Sequence, residues 1–225
     1  MKGGAAVGLL GCILAASAAS AQDRGVVFAG GEVGEDSSGY FGVTWAMPGS
    51  ELGRGWAIRG TASAGGYDYD RASGAVEAEF LQGDLVLLRQ TSGAWGYFNL
   101  GGGARITDTD LEPADPGNQR EGSNWDVVLT ADGMHNAGDW RVGGFGSYGV
   151  DMREYYVRGE VTRRLGSGPW RGGVEVLADG DENYDRTGAG VLLVYAPSGA
   201  VGWRAAIGGR DDGGAYVSVG ITRVF

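Results

Sequence analysis

Several residue types are nearly absent from this 225-residue chain. Cysteine occurs only as Cys12, lysine only as Lys2 and histidine only as His135. Because Cys12 lies in the apolar segment near the N-terminus, the remaining chain can form neither a disulfide nor a cysteine-based metal site. Beyond residue 21 the chain has no run of about 18 apolar residues, which argues against a helical membrane anchor. With a formal net charge of −10, the chain is also a poor candidate for binding nucleic acid.

The N-terminal segment predicts export. Lys2 is followed by an apolar run and by the small residues Ala-Ser-Ala, which end at Ala21. This pattern is typical of a secretory signal peptide over residues 1–21, and it leaves a single domain over residues 22–225. Lipoprotein processing at the Leu-Leu-Gly-Cys sequence that ends at Cys12 is an alternative.

The rest of the chain is rich in glycine and in aromatic residues, with 46 Gly, 7 Trp and 10 Tyr overall. Short segments between turn signals alternate apolar and polar residues, which is the period of a β-strand, and none has a convincing 3.6-residue apolar repeat. We therefore predict an all-β chain of twelve strands. The predicted strands are Gly25–Val33, Tyr40–Met47, Trp56–Tyr67, Ala75–Arg89, Trp95–Ile106, Ser123–Asp132, Trp140–Tyr148, Tyr155–Leu165, Trp170–Ala178, Thr187–Tyr195, Val201–Gly208 and Ala215–Phe225.

Two features of this pattern qualify the strand assignment. In the fourth strand the alternation of apolar and polar residues shifts near Leu81 and Gln82. By simple alternation Glu79 would lie on the same face as the later Leu85, so one face would change from polar to apolar. This shift predicts a β-bulge. The fifth and tenth segments have a thin apolar signal. Ten strands is therefore the main rival to twelve.

The last predicted strand places Val217, Val219 and Ile221 on one face and ends the chain on Phe225. An aromatic carboxyl terminus after such alternation is typical of outer-membrane β-barrels, which close by pairing the last strand with the first. The final strand of a soluble sandwich is the alternative interpretation.

The predicted connections fall into two alternating kinds. Those after even-numbered strands are mostly compact, and those after odd-numbered strands are longer and more acidic. Short turns at one rim and polar loops at the other predict an antiparallel up-and-down outer-membrane barrel with both termini periplasmic and the loops extracellular. Because hydrocarbon offers the backbone no hydrogen-bond partner, a spanning sheet must close. Tryptophans near strand ends fit an interfacial girdle, and the alternation turns Arg158 and Glu160 toward the barrel interior.

The sequence offers little evidence for catalysis. His135 lies in a predicted turn between the sixth and seventh strands, beside Asn136 and with no serine nearby in sequence. A lipid hydrolase using His135 is therefore a weaker hypothesis than a solvated histidine. Acidic groups such as Asp181, Glu182 and Asp185 do not match the spacing of a calcium loop. We predict no catalytic residue, no metal site and no cofactor.

The segment Leu111–Trp125, LEPADPGNQREGSNW, is the most individual stretch of the chain. With VVFAGGEV near the start, SSGYFGVTWAMPGS after it, and the later YYVRGEVTRRL and DENYDRTGAGV, it resembles the bacterial cellulose-biosynthesis family BcsS over almost the whole mature chain. The resemblance implies an outer-membrane barrel that accompanies the machinery of cellulose synthesis and export. It carries over no catalytic residues.

Under this resemblance, polar residues of the long loop and of the interior become candidates for glycan contact, since sugar hydroxyls hydrogen-bond to such side chains. The candidates are Asp115, Asn118, Arg120 and Glu121 in the loop and Arg158 and Glu160 inside the barrel. The alternatives are that the loop only caps the lumen and that the inward charges only pair with each other. Three functions remain open: an accessory barrel in exopolysaccharide secretion, a small passive porin and a barrel lipid hydrolase. The expected partners are outer-membrane lipid, cellulose and components of its synthesis and export machinery.

Overall fold

The computed structural model describes residues 24–34, 36–71, 74–115, 117–182, 185–197, 201–211 and 214–225. The predicted signal peptide lies outside these residues. The described chain forms twelve β-strands, as predicted, and the rival count of ten is wrong. They are β1 Gly25–Val33, β2 Ser37–Ala46, β3 Gly55–Arg71, β4 Gly74–Gly93, β5 Gly96–Glu112, β6 Gly122–Ala137, β7 Trp140–Gly149, β8 Tyr155–Arg164, β9 Trp170–Gly180, β10 Asp185–Tyr195, β11 Gly202–Arg210 and β12 Ala215–Val224.

The strands form a closed antiparallel barrel in sequence order, in which β12 pairs with β1. The closing ladder places Gly30 opposite Gly220, and the Phe225 carbonyl oxygen accepts hydrogen bonds from the N–H groups of Arg24 and Gly25 at 2.8 and 2.9 Å. Because a closed ring leaves no strand edge unpaired, the fold is the predicted up-and-down barrel and not a sandwich. We call the end that carries both termini the terminal rim and the opposite end the loop rim.

The outer face of the barrel is apolar. Outward side chains such as Leu85, Val176 and Val219 are 63%, 58% and 57% exposed, because no other described residues cover them. An exposed apolar band of this extent is the surface that a barrel turns toward lipid. Within the described part of the chain, no helix is long and apolar enough to span a membrane.

Aromatic side chains collect at the terminal rim. All tryptophans except Trp125 lie at strand ends or in turns on that side: Trp45, Trp56, Trp95, Trp140, Trp170 and Trp203. Trp170 contacts Tyr195 and Trp203, with ring centroids 5.0 and 5.1 Å apart. This arrangement is the predicted girdle on one side of the apolar band.

Strands β3 to β6 are taller than the others, with 16 to 20 residues against 9 to 11. Their additional residues lie at the loop rim. We call this part of the sheet the extended wall, and it comprises residues 67–71, 74–80, 107–112 and 122–125. The predicted loops over 68–74 and 107–122 are therefore too long, because much of each is strand. The outer face of this wall is acidic, with Glu79 opposite Asp110 across the β4–β5 ladder.

The predicted β-bulge near Leu81 is wrong. The ladders of β4 with β3 and β5 run without interruption, and Leu81 lies opposite Ala64 and Asp108. Glu79 and Leu85 share the outward face of one regular strand. The change of residue type marks the passage from the apolar band to the extended wall, where an outward carboxylate can face water.

The predicted turn that contained His135 is also wrong. Strand β6 continues to Ala137, and His135 lies opposite Gly96 and Val142 within the sheet. The turn shrinks to two residues and includes Gly138, whose φ of +60° favours glycine. The sequence Gly-Met-His-Asn-Ala-Gly begins with a glycine of the strand, which misleads a prediction that treats glycine as the start of a turn.

The inward face combines a small apolar core with polar residues. Ala57, Val86, Leu88 and Val128 pack together and are almost completely buried. A second buried apolar cluster, of Val76, Ala78 and Leu111, lies in the extended wall. Charged and hydroxyl side chains occupy many of the other inward positions, so the interior is a largely polar lumen lined by side chains.

Candidate functional site in the lumen and at the loop rim

Arginine–carboxylate pairs occupy much of the lumen. On one side, Arg204 of β11 donates to Glu175 of β9, and the Tyr216 hydroxyl donates to the same carboxylate at 3.0 Å. Glu175 is only 2% exposed, so its charge depends on these two donors. On the other side, Arg105 of β5 binds Asp84 of β4 through two hydrogen bonds of 2.9 and 3.0 Å.

A second network lies closer to the loop rim. Arg210 and Arg186 both donate to Asp179, at 2.6 and 2.7 Å. Arg210 also binds Glu32 of β1, and Arg186 binds Asp36 in the β1–β2 connection. Strands β9 to β11 are thereby tied to the first strand and its connection.

A further ion pair between strands that are not neighbours in the sheet lies on the β3–β6 side of the lumen. Arg59 of β3 lies 2.7 Å from Asp132 of β6, and its Nε donates to the Thr44 hydroxyl at 3.1 Å. Asn99 donates to the other oxygen of Asp132 at 2.8 Å. Since β3 and β6 are three positions apart around the ring, this pair crosses part of the lumen and narrows it.

The loop between β5 and β6, residues 113–121, is held against the extended wall. The Tyr69 hydroxyl donates to Asp115 at 2.9 Å and accepts from the Asn118 amide at 3.0 Å. Arg71 lies 3.1 Å from Asp115. These contacts lie beyond the apolar band, and burial is the main cause that raises the pKa of Tyr69. The phenol therefore keeps the proton that it donates to the carboxylate.

Arg120 extends the same loop toward two other connections. Its guanidinium lies 2.6 Å from Asp181, after β9, and 3.6 Å from Glu154, before β8. The Asp181 side chain is 3% exposed, so this pair is well shielded from water. The Asn118 side chain accepts a hydrogen bond from the Arg120 N–H at 3.0 Å and fixes the turn between them. The loop therefore bends inward over the mouth of the barrel.

The six predicted contact residues divide into two groups. Asp115, Asn118 and Arg120 hold the loop in place, and Glu121 is exposed beside them. The other two lie inside the barrel on β8. Arg158 is partly buried there, and Glu160 lies 3.8 Å from Arg204.

Sequence reasoning missed the partners that organise this site. These partners come from three different stretches of the chain, one with Tyr69 and Arg71, one with Glu154 and one with Asp181. They lie too far from the loop in sequence for a local pattern to predict the contacts. The inward parity of Tyr69 is the only available hint, since it places the phenol on the lumen side of the extended wall.

The structure also places the other residues that were considered for catalysis or metal binding. His135 is exposed on the outer face of β6. Asp185 accepts a hydrogen bond from the Tyr155 hydroxyl at 2.7 Å. Among the described residues there is no group of three or more His, Cys, Asp or Glu side chains placed to hold a metal ion.

Solved structures with this fold are outer-membrane barrels. The translocator domain of the autotransporter NalP from Neisseria meningitidis has a TM-score of 0.54 at 12% identity, over 92% of this chain and 90% of that one. A KdgM porin has a TM-score of 0.52 at 10% identity, over 89% and 99%. The same porin in complex with disordered oligogalacturonate has a TM-score of 0.51 at 10% identity, over 89% and 99%. At these identities the likeness concerns the fold alone.

Sequence comparison identifies the family. No curated protein matches the chain in sequence. The family model described as cellulose biosynthesis protein BcsS matches residues 26–225, which include every strand except the first residue of β1. The chain therefore belongs to the BcsS family of cellulose biosynthesis proteins.

Proposed function

We propose that this protein is a non-enzymatic outer-membrane barrel that supports cellulose production at the cell surface, with periplasmic termini and an extracellular loop rim. Family membership supports the link to cellulose, and the exposed apolar band with its tryptophan girdle supports the membrane setting. The finer role proposed is a surface platform for the emerging glucan or for its export machinery.

The anchored loop over the mouth is the observation that carries this proposal. Asp115 and Arg120 bind partners on both sides of the loop, so the segment presents a fixed surface. Glu121 remains exposed on it and offers acceptors to sugar hydroxyls. A binding surface that is already ordered loses little conformational entropy when it takes up a ligand.

The lumen favours contact at the rim over passage of a polymer. The Arg59–Asp132 pair crosses part of the interior, and Glu175 accepts hydrogen bonds from both Arg204 and Tyr216. A glucan chain that entered the lumen would have to separate such ion pairs. A buried charge that loses its partner destabilises the protein strongly. Under this proposal Arg158 and Glu160 are structural, and the loop residues carry the contact.

A passive pore is the second candidate, because the lumen is lined by charged side chains as porin interiors are. The structural likeness to a porin solved with an acidic oligosaccharide is consistent with it, although that likeness is one of fold. Ion conductance in planar bilayers would favour this candidate. A hydrolase is not proposed, because His135 faces outward near the terminal rim.

Replacement of residues 113–121 by a Gly/Ser linker of equal length tests the platform. We expect normal insertion, judged by heat-modifiable migration on a gel, and reduced cellulose output or surface attachment. The control is the same replacement of residues 47–54 in the β2–β3 connection at the terminal rim, which should leave output unchanged. Normal output from a correctly inserted loop variant would contradict the proposal.

A further inference from the structure

The lumen has a cationic end at the terminal rim. Arg141 of β7, Arg164 of β8 and Arg171 of β9 occupy inward positions on three adjacent strands. Arg164 and Arg171 are direct cross-strand partners, and Arg141 lies opposite Thr162, one inward position away from Arg164. Like charges at directly opposed positions destabilise a sheet unless something offsets them.

These arginines lack the close carboxylate partner that others in the lumen have. Arg171 is 5% exposed, and its guanidinium donates to the Thr162 hydroxyl at 3.1 Å and to the Asp139 backbone carbonyl at 2.7 Å. Arg141 donates to the neutral Asn136 side chain at 3.1 Å. In the described part of the chain, the one ion pair of this group is between Arg164 and Asp139, at 3.8 Å and half exposed.

Arg59, Arg105 and Arg210 show the contrast, since each lies within 3 Å of a carboxylate. Three guanidinium groups that share a single ion pair among the described residues, of 3.8 Å, leave an excess of positive charge at this end of a chain whose net charge is −10. The excess lies beside inward glycines, since Gly143 follows Arg141 and Gly173 follows Arg171 at the next inward positions. Neither position adds a side chain next to the guanidinium groups, and the nearest inward carboxylate on β8 is Glu160, whose Oε1 lies 3.4 Å from where a Cβ on Gly143 would stand.

We propose that Arg141, Arg164 and Arg171 form a binding site for a small oxyanion, with a carboxylate or phosphate group, that enters the lumen from the terminal rim. The planar guanidinium fork matches the geometry of such groups and can bind them through paired hydrogen bonds. An anion held between the three arginines would offset their mutual repulsion, which a neutral ligand would not do. The proposal is independent of the glucan role of the loop rim.

Isothermal titration calorimetry of the refolded barrel in detergent micelles tests the site, with inorganic phosphate and acetate as separate titrants and sodium chloride at matched ionic strength as reference. We expect saturable heat with phosphate, acetate or both, and none with chloride. Comparing the two titrants distinguishes a phosphate-selective site from one that accepts carboxylates. Equal behaviour of all three salts would overturn the proposal.

Three variants make the test specific. An Arg141→Gln, Arg171→Gln double variant should weaken binding at least about tenfold, since it removes two donors of charge-assisted hydrogen bonds to the anion. Asp139→Asn removes the competing carboxylate, keeps the backbone carbonyl that binds Arg171, and should tighten binding. Arg89→Gln, an outward arginine that stacks on Trp56, is the matched control and should have no effect.

Heat-modifiable migration reports the folding of each variant. If the double variant fails to fold, Asp139→Asn still decides the matter. Unchanged or weaker binding in a folded Asp139→Asn barrel would overturn the proposal, as would full binding in a folded double variant.

Discussion

Glu175 is 2% exposed and accepts hydrogen bonds from Arg204 and from the Tyr216 hydroxyl. A buried carboxylate with two donors is stable as a unit, but removing one partner leaves an uncompensated charge. We expect Glu175→Ala to lower the free energy of unfolding by about 3 kcal/mol and Tyr216→Phe by about 1 kcal/mol. Urea unfolding in lipid vesicles, followed by tryptophan fluorescence, measures both. A larger loss in Tyr216→Phe than in Glu175→Ala would contradict this account of the pair.

Tyr216 also explains why the neighbouring strands carry inward glycines. A Cβ placed on Gly190 would lie 2.5 Å from the Tyr216 hydroxyl oxygen, whereas one placed on Gly60 would meet no atom within 4 Å. We therefore expect Gly190→Ala to destabilise the barrel by about 1–3 kcal/mol through overpacking. Gly60→Ala is the matched control and should be neutral or slightly stabilising. Unfolding midpoints of the two variants in the same lipid compare them directly, and equal midpoints would contradict the packing argument.

At the scale of the element, the extended wall sets carboxylates opposite each other. Glu79 lies opposite Asp110 on its outer face, and like charges in that relation destabilise a sheet. Glu79→Lys would convert the repulsion into a cross-strand ion pair, and we expect a gain of about 0.5 kcal/mol at low salt. The gain should shrink as salt screens the exposed pair. Unfolding at two salt concentrations checks this, and Glu79→Gln should give a smaller gain.

The loop anchor is a separate element with its own stability. Tyr69 both donates to Asp115 and accepts from Asn118, so one hydroxyl joins the wall to the loop. We expect Tyr69→Phe to raise hydrogen exchange of the amides between Asn118 and Glu121 while leaving the strand amides of β8 unchanged. Exchange measured by mass spectrometry tests this. Unaltered protection of the loop amides would show that Arg71 and Arg120 suffice to hold it.

Local patterns predicted the strands well because alternation is a local consequence of the pleat. They failed where the surroundings of a strand change along its length, as between Leu85 and Glu79, since the same outward face meets lipid and then water. They also failed at His135, because glycine can lie inside a strand as well as begin a turn. The partners of Arg120 could not be predicted, since Asp181 lies sixty-one positions further along the chain, and only the closed ring of strands brings the two together.

For the whole molecule, the two rims differ in charge and in architecture. The loop rim carries the acidic wall and the anchored loop, and the terminal rim carries the tryptophan girdle and the arginines Arg141, Arg164 and Arg171. A barrel with such different ends has a defined direction in the membrane if short turns face the periplasm. The glucan platform and the oxyanion site then act on opposite sides, and the proposed roles of both depend on that direction.

Cysteine labelling tests the direction in living cells, because Cys12 lies in the predicted signal peptide and the mature barrel would then contain no thiol. Asp151, in the β7–β8 connection, and Ser167, in the β8–β9 turn, are both exposed and lie at opposite rims. With periplasmic termini, a membrane-impermeant maleimide should label Asp151→Cys on intact cells and label Ser167→Cys only after the outer membrane is permeabilised. The unsubstituted protein should stay unlabelled throughout. The reverse pattern would place the acidic wall and the loop in the periplasm, where neither could meet a glucan at the cell surface.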